Sequence, residues 1–175
     1  MRPLLFLLSL LLLGTAPAQQ VGEAAPDFRL VDEAGEAVTL ADFSGTPLVL
    51  NFWASWCAPC VEELPFFQET FEAHGEAGKA FQFLLVNNNE SADKALTFLR
   101  DELGITLPAA LDAPRDVRRA DNLDTTLDVI KRYRARGMPA TYFIDAEGTV
   151  RAVKQGFLLE SEAPQLFESI GVELP

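Results

Sequence analysis

The chain contains two cysteines, separated by two residues in Trp56-Cys57-Ala58-Pro59-Cys60. Two thiols at that spacing can close a disulfide across one helical turn, and such a pair can exchange two electrons with another disulfide. Ahead of them, Leu48-Val49-Leu50-Asn51-Phe52-Trp53 is almost entirely apolar, the pattern of a strand covered on both faces. Behind them Val61, Leu64, Phe67 and Phe71 recur at three- and four-residue steps, which predicts a helix from Ala58 to about His74 with a kink at Pro65. The cysteines thus sit where a buried strand hands over to a helix. The N-terminus of a helix carries unpaired N–H groups and partial positive charge, and both favour a thiolate at Cys57. Cys60 lies a turn further in, more shielded, with its sulfur in reach of the first. Cys57 is therefore read as the attacking nucleophile and Cys60 as the thiol that resolves the mixed disulfide. Pro59 suits the first turn, where its missing N–H would be unpaired anyway.

Blander readings of the pair fare worse. A zinc site needs more Cys or His ligands than two cysteines and the single His74 provide, so no metal is expected and no cofactor is implied. A purely structural bridge across two residues closes so small a ring that it constrains little. Inert core cysteines are not required by Trp56 or Ala58-Pro59. Trp56 itself is a candidate to shield the sulfurs and touch substrates, although packing alone explains an aromatic there.

The elements needed to hold this pair can be read along the chain. The first eighteen residues are an address: Arg2, then a ten-residue apolar block from Leu4 to Leu13 broken only by Ser9, then Ala16-Pro17-Ala18. That is the layout of a secretory signal cleaved before Gln19, and the run is too short for a membrane anchor, which needs about 20 apolar residues. The expected organisation is a signal peptide over 1–18 and one domain over 19–175, placed in the periplasm or otherwise outside the cytoplasm, where a cysteine pair can be oxidised. Phe28–Val31 and Val38–Leu40 flank a polar turn and read as a hairpin. Phe81–Val86, Thr141–Asp145 and Val150–Val153 read as further strands. Ser91 caps a helix with Ala95, Phe98 and Leu99 inward, and Glu162–Ile170 closes the chain as a helix with Leu166, Phe167 and Ile170 inward. Strands interleaved with helices make an α/β fold, a sheet sandwiched by helices. Of 175 residues 49% are apolar and 23% charged, a globular balance, and the formal net charge is -12. A protein built to neutralise phosphates would not carry that charge, so nucleic acid is excluded as a partner.

Trp56-Cys57-Ala58-Pro59-Cys60 after Asn51-Phe52-Trp53-Ala54 resembles the thioredoxin fold, and more narrowly the exported TlpA/ResA/CcmG-like thiol-disulfide oxidoreductases. Val21-Gly22, Ala25-Pro26-Asp27-Phe28, Gly45 and Pro47 are similar to that family's amino-terminal segment, and the likeness covers nearly all of the chain after residue 18. Asn51 stands where many cytosolic thioredoxins have a buried Asp. Arg136-Gly137-Met138-Pro139-Ala140-Thr141 resembles the loop ending in a cis-proline. The resemblance implies a central mixed sheet flanked by helices, with an N-terminal hairpin extension. It implies that Met138-Pro139 packs against the cysteine pair, and that the Met138 backbone hydrogen-bonds an incoming substrate strand. An ordinary trans turn proline is the alternative for Pro139. The resemblance also links Glu63, three residues past Cys60, to proton transfer at the second cysteine. A partly buried carboxyl there has a raised pKa and can take the Cys60 proton, whereas the bland reading makes it one surface acid among 26. Glu62 is read as solvent-facing.

Between Asp112 and Gly137 lie Arg115, Arg118, Arg119, Lys131, Arg132, Arg134 and Arg136 against four aspartates, a local +3 in an acidic chain. The stretch is read as a helical insertion near Val117–Thr126, relative to the family. Thr125 or Thr126 caps a helix carrying Leu127, Ile130 and Tyr133 inward. It could select a partner or touch anionic lipid, and a solvated helix of mixed charge is the simpler account.

The reading that results is an exported protein-disulfide reductase working through Cys57 and Cys60. Its expected partners are disulfide-containing exported clients, such as an apocytochrome c before haem attachment or a copper-site protein, and by resemblance a membrane electron donor of the DsbD/CcdA type. A peroxidase is excluded because Leu50 and Ala54 stand where the peroxiredoxin motif has Pro and Thr. A non-catalytic thioredoxin-like binding module, or a chaperone holding Cu(I) between the two thiolates, is the non-enzymatic alternative.

Overall fold

The apolar segment Leu48–Trp53 is buried along its whole length, and the remaining elements are arranged around it. The structure is a computed structural model that describes residues 21–76 and 80–174; the expected signal peptide over 1–18 lies outside the described residues. In chain order come β1 (Arg29–Val31), β2 (Ala37–Thr39), a 3-10 turn over Leu40–Phe43, β3 (Leu48–Trp53) and α1 (Ala58–Thr70), which is extended by a wide turn over Phe71–Glu76. Then follow β4 (Gln82–Asn87), α2 (Ala92–Thr97) with a wide turn over Phe98–Glu102, β5 (Ala109–Ala110), α3 (Arg115–Ala120) and α4 (Thr126–Arg132). The chain ends with β6 (Ala140–Ile144), β7 (Val150–Gln155), a 3-10 turn over Glu160–Glu162 and α5 (Ala163–Glu168).

Five strands form one mixed sheet in the order β5-β4-β3-β6-β7. The central strand β3 pairs parallel to β4, with Leu50 opposite Leu84, and antiparallel to β6, with Asn51 opposite Thr141. With helices packed on it, this is the thioredoxin-like arrangement that the cysteine motif implies. The β1–β2 hairpin is a separate two-stranded sheet, tied to the main body by the bridge Val31–Leu111, and the segment ahead of it is tied by Ala24–Thr149.

Side chains alternate along β3, so it feeds two cores. Val49 and Trp53 join Phe67, Phe83, Phe143 and Phe167 on one face, while Leu48, Leu50 and Phe52 join Val129, Tyr133 and Tyr142 on the other. Each large apolar side chain buried here contributes about 1.5–3 kcal/mol. Asn51 belongs to the first face by the same alternation, which aims a polar side chain at the helix that covers it.

Several elements depart from the sequence reading. The inward stripe of α1 is Cys60, Glu63, Leu64 and Phe67, with Val61 only half-buried; the helix is phased by its buried cysteine. Pro65 stands inside the helix, as read, on its exposed side. His74 lies in the helical turn that extends α1, at the limit read for that helix. Leu40 is in a 3-10 turn, not a strand, and the two-residue β5 was too short to show a period. Phe98 and Leu166 are half-buried beside their fully buried neighbours Leu99 and Phe167. The basic stretch forms two short helices, α3 and α4. Thr125 caps α4 through its hydroxyl, which accepts from the Asp128 N–H, but Leu127 faces solvent, and the buried side is Thr126, Val129, Ile130 and Tyr133.

Candidate active site

Cys57 and Cys60 are joined in a disulfide, with Cα atoms 5.2 Å apart. Cys57 is the N-cap of α1: its sulfur accepts from the Cys60 N–H at 3.3 Å, and its carbonyl accepts from the Val61 N–H at 3.1 Å. The first sulfur therefore sits where the helix presents its free donors, as the strand-to-helix junction requires. The two cysteines differ in access. Cys57 retains 6% exposure and Cys60 none, so an incoming disulfide can meet only the first.

Behind Cys60, one turn along α1, Glu63 is buried at 1% exposure, which removes the surface-acid reading of this residue. Its Oε1 accepts from Asn51 Nδ2 at 2.8 Å and its Oε2 from the Leu158 N–H at 3.0 Å. Two periodicities bring these together: the strand's, which turns Asn51 toward α1, and the helix's, which turns Glu63 toward β3. Burial pushes the Glu63 carboxyl up to about 7, opposed by the Leu158 N–H, the Asn51 amide and the Lys154 charge. A group so poised can take or give a proton near neutrality. Lys154 on β7 lies opposite Thr141 and is itself held by Glu162 at 2.6 Å. Glu62 is exposed, as read.

The loop before the cysteines is held by a carboxylate that sequence reasoning missed. Glu90 accepts from the Ser55 N–H at 2.8 Å, the Ser55 hydroxyl at 2.6 Å, Asn87 Nδ2 at 3.0 Å and Lys94 Nζ at 2.6 Å. Burial acts to raise its pKa, but the hydrogen bonds from Lys94, Ser55 and Asn87 outweigh it and hold the group at about 2. Topology supplies a signal that was available: β4 runs parallel beside β3, so the segment leaving β4 ends next to the segment leaving β3. Asn89, at φ 58°, turns the chain to bring Glu90 back.

The loop leading into β6 forms the opposite wall. The Met138–Pro139 peptide bond is cis. Pro139 is buried and Met138 half-buried, and Met138 packs against the core cluster that contains both cysteines. Among the described residues, neither the N–H nor the carbonyl of Met138 takes part in a main-chain hydrogen bond. Trp56 stands beside the pair at 63% exposure, so packing does not account for it. The structure thus brings Trp56, Cys57, Cys60, Glu63, Met138 and Pro139 into one region at the end of β3.

A family model described as Redoxin matches residues 20–169. Thiol-disulfide oxidoreductase ResA of Geobacillus kaustophilus is 31% identical over 153 residues, which is 87% of this chain and 79% of that protein. Thioredoxin-like protein YneN of Bacillus subtilis is 29% identical, over 83% of this chain and 78% of that protein. A crystal structure of thio-disulfide isomerase from Thermus thermophilus is similar with a TM-score of 0.70 and 27% identity, covering 89% of this chain and 99% of that one. A family model covering most of the chain and a relative 31% identical over 87% of it carry one conclusion: the chain belongs to the Redoxin family and, within it, to the TlpA/ResA/CcmG-like thiol-disulfide oxidoreductases.

Proposed function

We propose that the protein works outside the cytoplasm as a reductase of cysteine pairs in client proteins. The observation that carries this reading is the asymmetry of the pair: an accessible Cys57 at the helix N-terminus, and a buried Cys60 with a near-neutral acid one turn behind it. In the reduced state, the Cys57 thiolate attacks one sulfur of a client disulfide. A mixed disulfide forms and the client's other sulfur leaves as a thiolate. Cys60 then gives its proton to the Glu63 carboxylate, and its thiolate attacks the Cys57 sulfur. The Cys57–Cys60 disulfide closes, the second client thiolate leaves, and two electrons have passed to the client. Met138 supplies free main-chain groups for an extended client segment, and Trp56 covers the attacking sulfur. An electron donor of the DsbD/CcdA type returns the pair to the dithiol. An apocytochrome c awaiting haem, or a copper-site protein, is the kind of client this chemistry serves. Export is supported by the leader pattern of residues 1–18. Among the described residues no helix is long and apolar enough to cross a membrane.

The test is trapping with Cys60→Ser, which stalls the mixed disulfide and lets the client be identified in an exported fraction. Insulin reduction by Cys57→Ser and Cys60→Ser variants completes it. Wild-type activity in both variants would remove the redox assignment.

A further inference from the structure

Beside Trp56, the residue before Cys57, an open cleft of about 400 Å³ is lined by Trp56, Asn88, Ile130, Ala135, Arg136 and Met138, with Gly137 between the last two. Its walls come from separate parts of the chain: Trp56 from the β3–α1 loop, Ile130 from α4, and the rest of the basic side from the loop before β6. The lining is apolar apart from Asn88 and Arg136, and Arg136 is its only ionisable residue. The backbone of Arg136 is anchored, its N–H donating to Gln155 Oε1 at 3.2 Å. Its side chain is exposed and makes no ion pair among the described residues. Neighbouring cations differ: Arg132 is held by Asp124 at 2.6 Å and Lys154 by Glu162 at 2.6 Å. A cation without a counter-ion at the reactive end of a protein with net charge -12 is a feature that a ligand can complete.

We infer that this cleft receives the client segment flanking the attacked cysteine, and that the segment brings an apolar side chain against Trp56, Ile130 and Met138 and a carboxylate to Arg136. The inference rests on the reductase reading above and names the class of client it favours. A polypeptide fits better than a lipid headgroup because the cleft is lined by Met138, whose main-chain groups are free, and by Trp56, the residue directly before Cys57; a headgroup needs neither. The overall negative charge repels acidic chains at long range, so the local cation acts as a selector of sequence and not as a general attractor.

The experiment uses the purified protein and a set of short disulfide-containing peptides. Each carries Asp, Asn or Lys at one of the positions flanking the attacked cysteine, and the readout is the ratio of kcat/KM for Asp over Lys within each protein variant. At the position that meets Arg136 the wild type prefers Asp by about fivefold, the scale of a partly exposed charge pair. Arg136→Ala removes the preference and Arg136→Glu reverses it, while Arg119→Glu, with the same change in net charge on exposed α3, leaves it in place. Because the ratio is taken within one variant, a general loss of activity does not mimic the effect. Equal ratios in wild type and Arg136→Glu at every position overturn the inference and leave the reductase reading standing. A wild type that reduces none of the peptides, nor hydroxyethyl disulfide, overturns the reductase reading itself. If Arg136→Glu weakens binding to phosphatidylglycerol vesicles and spares the peptide ratio, the cation belongs to a membrane surface and the inference is wrong.

Discussion

Asn51 donates from Nδ2 to Glu63 Oε1 at 2.8 Å, while its own Oδ1 is buried without a partner. The same Nδ2 also reaches Thr141 Oγ1 at 3.0 Å. Turning the amide over would present Oδ1 to Glu63 and to the Thr141 hydroxyl. One set of side chains can therefore hold Glu63 either as a carboxylate, which accepts, or as a carboxylic acid, which donates. A chain with a fixed donor at this position would favour the charged form only.

This makes stability depend on pH in a defined direction. Burial raises Glu63 from 4.5 to about 7, so the folded state holds its proton more tightly than the unfolded chain. Its contribution is present in full below about pH 4.5 and is lost as pH rises through about 7, a change on the order of 3 kcal/mol. Glu63→Gln, whose amide can pair with a turned-over Asn51, is expected to flatten that decline. Urea unfolding across this pH window is the measurement, and an unchanged slope would assign the decline to other groups.

The same variant separates chemistry from stability. If Glu63 takes the Cys60 proton, Glu63→Gln slows resolution of the mixed disulfide roughly a hundredfold and removes the pH limb near 7. Attack by Cys57 is much less affected. Single-turnover kinetics with a chromogenic disulfide distinguishes the two steps; equal slowing of both would make Glu63 a structural residue only.

Glu90 holds the Ser55 backbone two residues before Cys57. Glu90→Ala leaves Ser55, Asn87 and Lys94 without their acceptor and is expected to cost about 2–3 kcal/mol. In the native protein the contribution is present above about pH 4.5 and is lost as pH falls through about 2, a window that does not overlap that of Glu63. Thermal unfolding of the variant against wild type at neutral and acid pH checks both statements.

Two tyrosines in the second core should respond oppositely. Phe52, Tyr133 and Tyr142 form an edge-to-face cluster with centroids 5.0–5.7 Å apart. The Tyr142 hydroxyl donates to the Tyr133 carbonyl at 2.7 Å, whereas the Tyr133 hydroxyl is buried without a partner. Tyr133→Phe is expected to raise stability by about 1 kcal/mol and Tyr142→Phe to lower it by about as much. A loss on Tyr133→Phe would mean that the hydroxyl has found a partner, such as an ordered water.

Trp56 supplies the opposite contrast. At 63% exposure its replacement by Ala should change stability by no more than about 0.5 kcal/mol, yet reduce turnover of protein disulfides more than that of a small one. Parallel insulin and hydroxyethyl disulfide assays show whether the ring contacts clients.

The central strand, the cysteine junction and the helix behind it were legible because each has a strong local pattern: an unbroken apolar run, a fixed Cys spacing, a 3.6-residue period. The face of α1 was harder. Its stripe includes Glu63, and a hydrophobicity pattern places an acid outside until a partner such as Asn51 appears, across twelve residues of sequence. Leu127 failed for the reverse reason: an apolar residue at the right spacing lies at the rim of α4, where Thr126, bonded to Asp112, takes the inward place. The tie from Glu90 to Ser55 spans 35 residues, and only the parallel pairing of β3 with β4 could have revealed it.

The reactive pair rides on the strand at the middle of the sheet, whereas Arg136 and Met138 sit on a loop that enters the neighbouring strand from outside it. The selection inferred for Arg136 would therefore place part of the choice of recipient in a stretch of chain apart from the one that carries the cysteines. On that inference, substitutions at Arg136 would change which recipients are served while leaving the cysteine pair and its helix as they are.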